Sequence, residues 1–259
     1  MKARFSHQFL AIACVYVGMS SPVIAADASN PDRVFIPADA GLVNVRDHGL
    51  KGDGKTDDTA ALVELVRRNL NQHKTLFFPS GTYILSDSIL WANEQGEFWP
   101  WLTWQGEGRG RTVLRLRDRS PGFGDATKPK PVVKTGCYDG ETRQNAAFNC
   151  YFFDLTINTG RGNPGAIALD YCSHNNGGVV RVDLVSEDGA GVAGLSMTRD
   201  SPGPALIQHV NIRGFDTGIA LKHLLFGVTF ESVRLEKQNG VGMLVDGNAA
   251  AIRGLTSVN

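Results

Sequence analysis

The sequence predicts an all-β fold, a parallel β-helix, because short apolar runs recur at a nearly constant spacing after residue 149. One column of the repeat is formed by Leu155, Val182, Val210, Val233 and Leu255, at spacings of 27, 28, 23 and 22 residues. The matching positions three residues earlier are Phe152, Val179, Ile207, Phe230 and Ile252, and those two residues later are Ile157, Leu184, Ile212, Leu235 and Ser257. A period of roughly 20–50 residues indicates a solenoid, a propeller or a repeat array.

The content of each period favours strands over helices. A second apolar run follows each of the first four, with its members aligned as Ile167, Val192, Ile219 and Met243, and the last three are directly preceded by Gly191, Gly218 and Gly242. The runs are short, β-branched and lack a 3.6-residue period, so each unit reads as two or three strands joined by turns. That is one coil of a parallel β-helix, whose inward side chains stack from coil to coil.

The stretch from residue 43 to residue 90 predicts a capping region for the first coil. An amphipathic helix is expected there, with Thr56 or Asp57 as its N-cap and one apolar face made of Leu62, Leu65, Val66 and Leu70. Asp53, Asp57 and Asp58 could instead form a metal or catalytic cluster. We favour the structural interpretation, because a stack of coils needs a cap at its open end.

The N-terminal residues 1–28 are predicted to be a signal peptide, which leaves a β-helix domain over residues 29–259, with regular coils from about 149 to 259. Lys2 and Arg4 precede an apolar segment that is too short to span a bilayer, and small residues follow it. We therefore expect a secreted or periplasmic protein without stable membrane insertion. The formal net charge is zero, which gives no reason to expect nucleic acid as a partner.

Three cysteines follow the predicted signal peptide: Cys137, Cys150 and Cys172. In an oxidising compartment one disulfide is plausible, and Cys137 with Cys150 is the first choice because the two bracket a polar loop. Plain buried cysteines are the alternative. The sequence contains no CxxC motif or His/Cys cluster, so no metal and no cofactor are predicted.

Two segments carry a resemblance to a known family. DHGLKGDGKTDDTAAL followed by TLFFPSGTYIL resembles the start of the pectate-lyase superfamily, in its rhamnogalacturonase/epimerase-like branch, and LTWQGEGRGRTVLRL and NPGAIALDY are similar to bacterial proteins related to glycoside hydrolase family 55. The resemblance implies a right-handed, pectin-lyase-like solenoid from about residue 43 onwards. It also implies carbohydrate chemistry without choosing the reaction, because lyases, hydrolases, epimerases and binding proteins share this fold.

Candidate catalytic carboxylates lie in the turns that follow the first strand run of each coil: Glu187, Asp188, Asp216 and Glu236. Neighbouring coils are spaced about 4.8 Å apart, so carboxylates in adjacent turns would be close together. Glycosidases use two carboxylates about 5–9.5 Å apart, and a stack of like charges would raise one pKa and make a proton donor. Solvated turns are also often acidic, and this interpretation stays open.

Trp99 and Trp101 are the candidate substrate-binding residues, because they lie in an unusually aromatic segment and could stack on sugar rings. Packing of the first coils is the alternative for this segment. Five arginines between Arg109 and Arg119 alternate with apolar residues, which indicates the solvated face of a strand.

Together these features predict an exported protein that acts on a polysaccharide, in the first place as a glycoside hydrolase. A polysaccharide lyase of the pectate-lyase type and a non-catalytic glycan-binding solenoid remain as alternatives. The last coil breaks off after its first run, so we expect the chain to be the N-terminal part of a longer protein and to be inactive alone.

Overall fold

The computed structural model describes residues 41–137 and 147–258 of this 259-residue chain. The predicted signal peptide lies outside the described residues. Within them, no helix has both the length and the apolar character that crossing a membrane requires.

The described residues form strands, one α-helix and one 3₁₀ turn. The helix is α1 (Thr59–Asn69), and the 3₁₀ turn spans Val45–His48. The strands are β1 (Leu42–Asn44), β2 (Asp53–Asp57), β3 (Lys74–Phe78), β4 (Gly81–Leu85), β5 (Ile89–Leu90), β6 (Leu102–Gly106), β7 (Thr112–Leu116), β8 (Lys130–Lys134), β9 (Phe148–Asn158), β10 (Ala166–Asp170), β11 (His174–Val185), β12 (Ala193–Met197), β13 (Ala205–Gln208), β14 (Asn211–Arg213), β15 (Thr217–Lys222), β16 (Val228–Glu231), β17 (Arg234–Glu236), β18 (Val241–Asp246), β19 (Ala251–Arg253) and β20 (Thr256–Val258).

These strands stack into three parallel faces. The first face runs β1-β3-β6-β9-β11-β13-β16-β19. The second runs β2-β4-β7-β9-β11-β14-β17-β20, because the long strands β9 and β11 continue from the first face into the second. The third runs β18-β15-β12-β10-β8-β5. This is a right-handed parallel β-helix, as predicted.

The predicted inward columns of the first two faces are confirmed. On the first face, Phe152 pairs with Val179, which is followed by Ile207, Phe230 and Ile252. The first four are fully buried, whereas Ile252, in the last described coil, is 46% exposed. On the second face, the column from Ile157 to Ser257 has the predicted register.

The predicted column of the third face is wrong in its first two members. The observed column is Leu169, Leu195, Ile219 and Met243. The predicted column aligned Gly191 with Gly218. In the structure it is Gly194 that lies opposite Gly218. A Cβ on Gly194 would lie 2.3 Å from Cγ2 of Ile212, so small residues are required where the third face approaches the second.

In the last five described coils, one residue with positive φ marks the corner between the first face and the second. These corner residues are Asp154, Arg181, His209, Ser232 and Gly254, and all have positive φ between 52° and 70°. At such a corner the chain changes direction in a single left-handed residue, and the residue that follows it (Leu155, Val182, Val210 or Val233) is buried in the core. Asp154 and Arg181 form an ion pair across adjacent coils.

The predicted capping helix is confirmed, but its N-terminus differs from the expectation. Leu62, Leu65 and Val66 are buried and join the same core as the first coils. Asp58 occupies the N-cap position, yet its carboxylate accepts the N–H groups of Lys51 (2.7 Å) and Gly52 (3.0 Å) and makes no bond to the helix. Asp58 therefore fixes the glycine-rich loop before the helix.

The first N–H group of the helix, that of Thr59, is bound by Asp57 instead of Asp58. Oδ1 of Asp57 accepts the N–H of Thr59 at 3.0 Å. Asp53 binds the N–H groups of Lys55 and Thr56, which closes its own turn. All three aspartates thus have structural partners, as the structural interpretation of this motif expects.

The predicted Cys137–Cys150 disulfide is not present. All three described cysteines are free and buried. Sγ of Cys150 donates to the carbonyl of Phe148 at 3.5 Å, at the start of β9, whereas Cys137 follows β8 on the third face. The two cysteines belong to different faces, so bracketing a loop does not bring them together.

We predict that Asp58→Asn lowers the free energy of unfolding by about 2–3 kcal/mol, because an amide nitrogen would then face a buried backbone N–H. Chemical denaturation measures this loss. Asp47→Asn, at an exposed position of the same region, serves as the control and should change the free energy by less than about 0.5 kcal/mol. A loss below 1 kcal/mol for Asp58→Asn would contradict the role assigned to its two hydrogen bonds.

Candidate functional site

A cleft of about 250 Å³ lies at the N-terminal ends of β3, β6 and β9, on the outside of the first face. Its walls come from three successive coils and are formed by His73, Lys74, Thr75, Trp101, Thr103, Asn149 and Tyr151. His73 and Trp101 directly precede β3 and β6, and Asn149 is the second residue of β9, so all three lie where the chain enters the first face. The periodic strand pattern therefore places their side chains next to each other along the helix axis.

Trp101 is the central side chain of this cleft, and its backbone is held in an unfavourable conformation. Its φ is 65°, which is a genuine outlier for a bulky residue, and His73 and Asn149 on either side have φ values of 54° and 50°. The indole packs on His73 with ring centroids 4.4 Å apart and stacks on Phe148 at 5.7 Å. Strain of this kind persists only where surrounding contacts impose it, and it is concentrated at functional sites.

A second cleft of about 290 Å³ continues along the same edge of the first face. It lies at the N-terminal ends of β11, β13 and β16 and is lined by Asn175, Asn176, Gly177, Pro204, Ala205, Leu206, Gly227 and Thr229. Asn176 links the two clefts, because its Nδ2 donates to Oδ1 of Asn149 at 2.9 Å and its Oδ1 accepts the hydroxyl of Tyr151.

The two clefts together span six successive strands, or about 24 Å at a coil spacing of about 4.8 Å. We call this row of residues the axial cleft. Asn175 and Asn176, at its centre, belong to the start of β11, and Asn176 joins adjacent coils.

The chemistry of the axial cleft is that of a binding surface. It offers aromatic faces, side-chain amides and hydroxyls, and its basic side chains are Lys74 and His73. Burial raises the pKa of Tyr151, so its hydroxyl stays protonated and donates to Oδ1 of Asn176. Among the described lining residues there is no aspartate or glutamate. The cleft can hold a polar ligand with flat apolar faces, but its lining carries no carboxylate pair.

The candidate Glu187 lies elsewhere, after the end of β11 on the second face. Arg115 binds its carboxylate through Nε (2.7 Å) and Nη2 (3.0 Å), and Asn158 and Arg161 add a hydrogen bond and an ion pair. These contacts, with Arg115 the largest, lower the pKa of Glu187. The carboxylate is therefore held ionised, which suits an ion pair better than a proton donor.

The other three candidate carboxylates also have local partners. Asp188 accepts the N–H groups of Gly162 (2.6 Å) and Ala190 (3.1 Å). Burial raises its pKa, but these bonds outweigh burial and the pKa is lowered.

Asp216 accepts a hydrogen bond from Asn239 at 3.1 Å, and Glu236 pairs with Arg234. The bond to Asp216 ties turns of neighbouring coils together, whereas Arg234 and Glu236 lie in the same strand, β17. No measurement tests a catalytic role for the four carboxylates, which stay a prediction.

The aromatic segment divides between core and surface. Trp91 and Trp104 are fully buried and pack on each other and on Phe152. Trp99 is half-buried against the core and does not line the axial cleft. Of the two candidate tryptophans, Trp101 alone lines the cleft.

Asp183 has an unusual environment that the sequence did not single out. It points outwards from β11, where Asn211 of the next coil donates to its Oδ1 at 2.9 Å and Arg109 approaches at 3.4 Å. Burial raises its pKa in spite of these partners, whereas the other shifted carboxyl groups of the described residues have lowered pKa values. Only the strand register, which the sequence shows for β11, could have identified it as outward-facing.

The described residues also contain no group of three or more His, Cys, Asp or Glu side chains placed to hold a metal ion.

Two fungal proteins are similar to part of this chain. A glucan 1,3-beta-glucosidase of Cochliobolus carbonum is 28% identical over 133 residues, which cover 50% of this chain and 14% of the relative. A probable glucan endo-1,3-beta-glucosidase of Arthroderma benhamiae is 26% identical over 162 residues, which cover 59% of this chain and 16% of the relative. The matched segments therefore span about one-sixth or less of these relatives' length.

Among solved structures, ORF18 of Geobacillus virus E2 has the same fold, with a TM-score of 0.57 at 20% identity over 83% of this chain and 41% of the viral chain. A family model described as rhamnogalacturonase A/epimerase, pectate lyase-like, matches residues 42–257, which is most of the chain and nearly all of its described part. The chain belongs to this rhamnogalacturonase A/epimerase, pectate lyase-like family.

Proposed function

We propose that this chain is the glycan-binding β-helix of an exported carbohydrate-active protein of the glycoside hydrolase type. The observation that carries the proposal is the axial cleft, in which Trp101 is held with positive φ between His73 and Phe148. A flat aromatic ring flanked by amides and hydroxyls suits a sugar, because each pyranose presents an apolar face and a rim of hydroxyl groups. Export is part of the proposal and rests on the signal-like residues 1–28.

The direction of the cleft favours a polymeric ligand. It runs along the helix axis for about 24 Å, which is longer than one sugar ring and open at its sides. Successive coils offer repeated polar groups, from Thr75 and Thr103 at one end to Thr229 at the other. A polysaccharide lying along the axis would contact each coil in turn.

We propose β-1,3-glucan as the ligand to test first, because both curated relatives are named for that linkage. We also propose that this chain alone binds the glycan without cleaving it. Glycosidic hydrolysis uses a pair of carboxylates, and the described lining of the axial cleft has none.

The non-catalytic alternative is a glycan-binding solenoid that has no hydrolytic partner domain, and a lyase of the pectate-lyase type is the other alternative. Reducing-end release from β-1,3-glucan detects hydrolysis, and absorbance near 235 nm on pectin detects a lyase. Turnover of either polymer by this chain alone would contradict the binding-only proposal.

We predict that Trp101→Ala weakens binding of a β-1,3-glucan oligosaccharide by about five- to tenfold, because it removes about 1–1.4 kcal/mol of ring stacking. Isothermal titration calorimetry measures the affinity, and retention on insoluble β-1,3-glucan gives a second readout. Phe98→Ala is the matched control: it removes a half-buried aromatic ring that lines neither cleft. Equal loss in both variants, or unchanged binding in Trp101→Ala, would contradict the proposal.

We predict that Glu187→Gln lowers the free energy of unfolding by about 1–2 kcal/mol at pH 7, because a bidentate ion pair is lost. The pKa of Glu187 is lowered in the folded protein, so its stabilisation is present above its ordinary pKa of 4.5 and is lost as pH falls further. The difference between variant and wild type should therefore shrink below pH 4.5.

Denaturation at several pH values measures this effect. Glu94→Gln, at an exposed position, is the control and should show no such dependence. If Glu187→Gln abolished a measurable hydrolysis without changing stability, the catalytic prediction for Glu187 would be right and the structural role wrong.

A further inference from the structure

Two of the three buried cysteines lie side by side on neighbouring coils of the third face. The strand β8 pairs with β10 so that Lys134 faces Asp170. The pairing continues beyond both strands, because the N–H of Thr135 donates to the carbonyl of Asp170 at 3.1 Å. Cys137 and Cys172 follow at these ends of the two segments, two residues after Thr135 and two after Asp170.

The contacts around the pair hold the two segments at a fixed distance. The N–H of Cys172 donates to Oγ1 of Thr135 at 3.0 Å, and that hydroxyl donates to the carbonyl of Cys172, also at 3.0 Å. Arg199 of the following coil donates to the carbonyl of Thr135 (2.9 Å) and to Oδ1 of Asp170 (2.9 Å). Burial, and next the nearby thiol of Cys137, raises the pKa of the Cys172 thiol.

From this arrangement we infer that Cys137 and Cys172 form a disulfide when the chain folds in the presence of an oxidant. The register of Lys134 with Asp170 places Gly136 opposite Cys172 and Cys137 one residue further along. With strands about 4.8 Å apart and a rise of about 3.3 Å per residue, this diagonal separation is about 5.8 Å, within the range of about 4.4–6.8 Å between Cα atoms that a disulfide needs. The bond replaces the Cys137–Cys150 pairing that the sequence suggested. It ties adjacent coils together at the end of the third face, just before the chain enters the first face, and it does not depend on the proposed glycan function.

The oxidant is a small disulfide such as oxidised glutathione. One cysteine thiolate attacks it and releases one glutathione thiolate; the second cysteine thiolate then attacks the mixed disulfide and releases the other. Two protons leave the cysteines, and two electrons reduce the oxidant to two thiols. Both side chains are at most 1% exposed in the folded protein, so the native reduced form should react slowly and the bond should form during folding.

The test is to refold the full chain in glutathione redox buffer, block free thiols, digest without reduction and identify linked peptides by mass spectrometry. We expect a peptide pair joined through Cys137 and Cys172. The oxidised protein should have a Tm roughly 5–10 °C above the reduced one. Unlinked cysteines after refolding, or a link from Cys137 to Cys150, would overturn the inference.

Two variants locate the effect. Cys150→Ala removes the third buried thiol and should keep both the linked peptide and the difference in Tm between oxidised and reduced protein. Cys172→Ala should remove that difference. Loss of the difference in Cys150→Ala would overturn the inference. If Cys172→Ala does not fold, the peptide map of the wild-type protein decides the question.

Discussion

The stacking of inward side chains from coil to coil is the constraint on which the rest of the structure depends. Parallel strands about 4.8 Å apart bring each inward residue into contact with its equivalents above and below, so coils must keep their register even when their turns differ in length. The third face shows how tight this is, because Gly194 and Gly218 leave room for no Cβ: one on Gly218 would lie 2.4 Å from the carbonyl oxygen of Gly242. The register of the strands therefore limits the size of the side chains at these positions.

That constraint also decides where function can lie. The interior is filled, and the strands offer outward positions and corners. At the corner before the first face, His73, Trp101 and Asn149 have positive φ and lie on adjacent coils, which makes a continuous row from residues that are far apart in sequence. The acidic turns after the second face are used differently. There Arg115 bridges Glu187 and Asp118, and the charges neutralise each other within the scaffold.

Much of the fold could be predicted from the sequence, because positions that are buried in every coil carry apolar residues at a regular spacing. The columns through Phe152 and Ile157 and the apolar face of α1 follow from this spacing. The third-face column could not be aligned correctly, because both Gly191 and Gly194 precede apolar residues and only packing against Ile212 distinguishes them.

The role of Asp58 was missed because an N-cap residue and a loop anchor have the same residue preference. Of the candidate site, Trp101 was found through its aromatic neighbourhood, whereas the asparagines beside it became recognisable only once the coils were stacked.

We propose that the axial cleft, and not the acidic turns, binds the glycan. Hydrogen–deuterium exchange of the full chain, with and without a saturating β-1,3-glucan oligosaccharide, tests it most directly, because every backbone segment reports in one experiment. We expect slower exchange in peptides that contain residues 73–75, 101–103 and 149–151, with the segment around Glu187 unchanged. Protection confined to the segments around Glu187, Asp216 and Glu236 would contradict it.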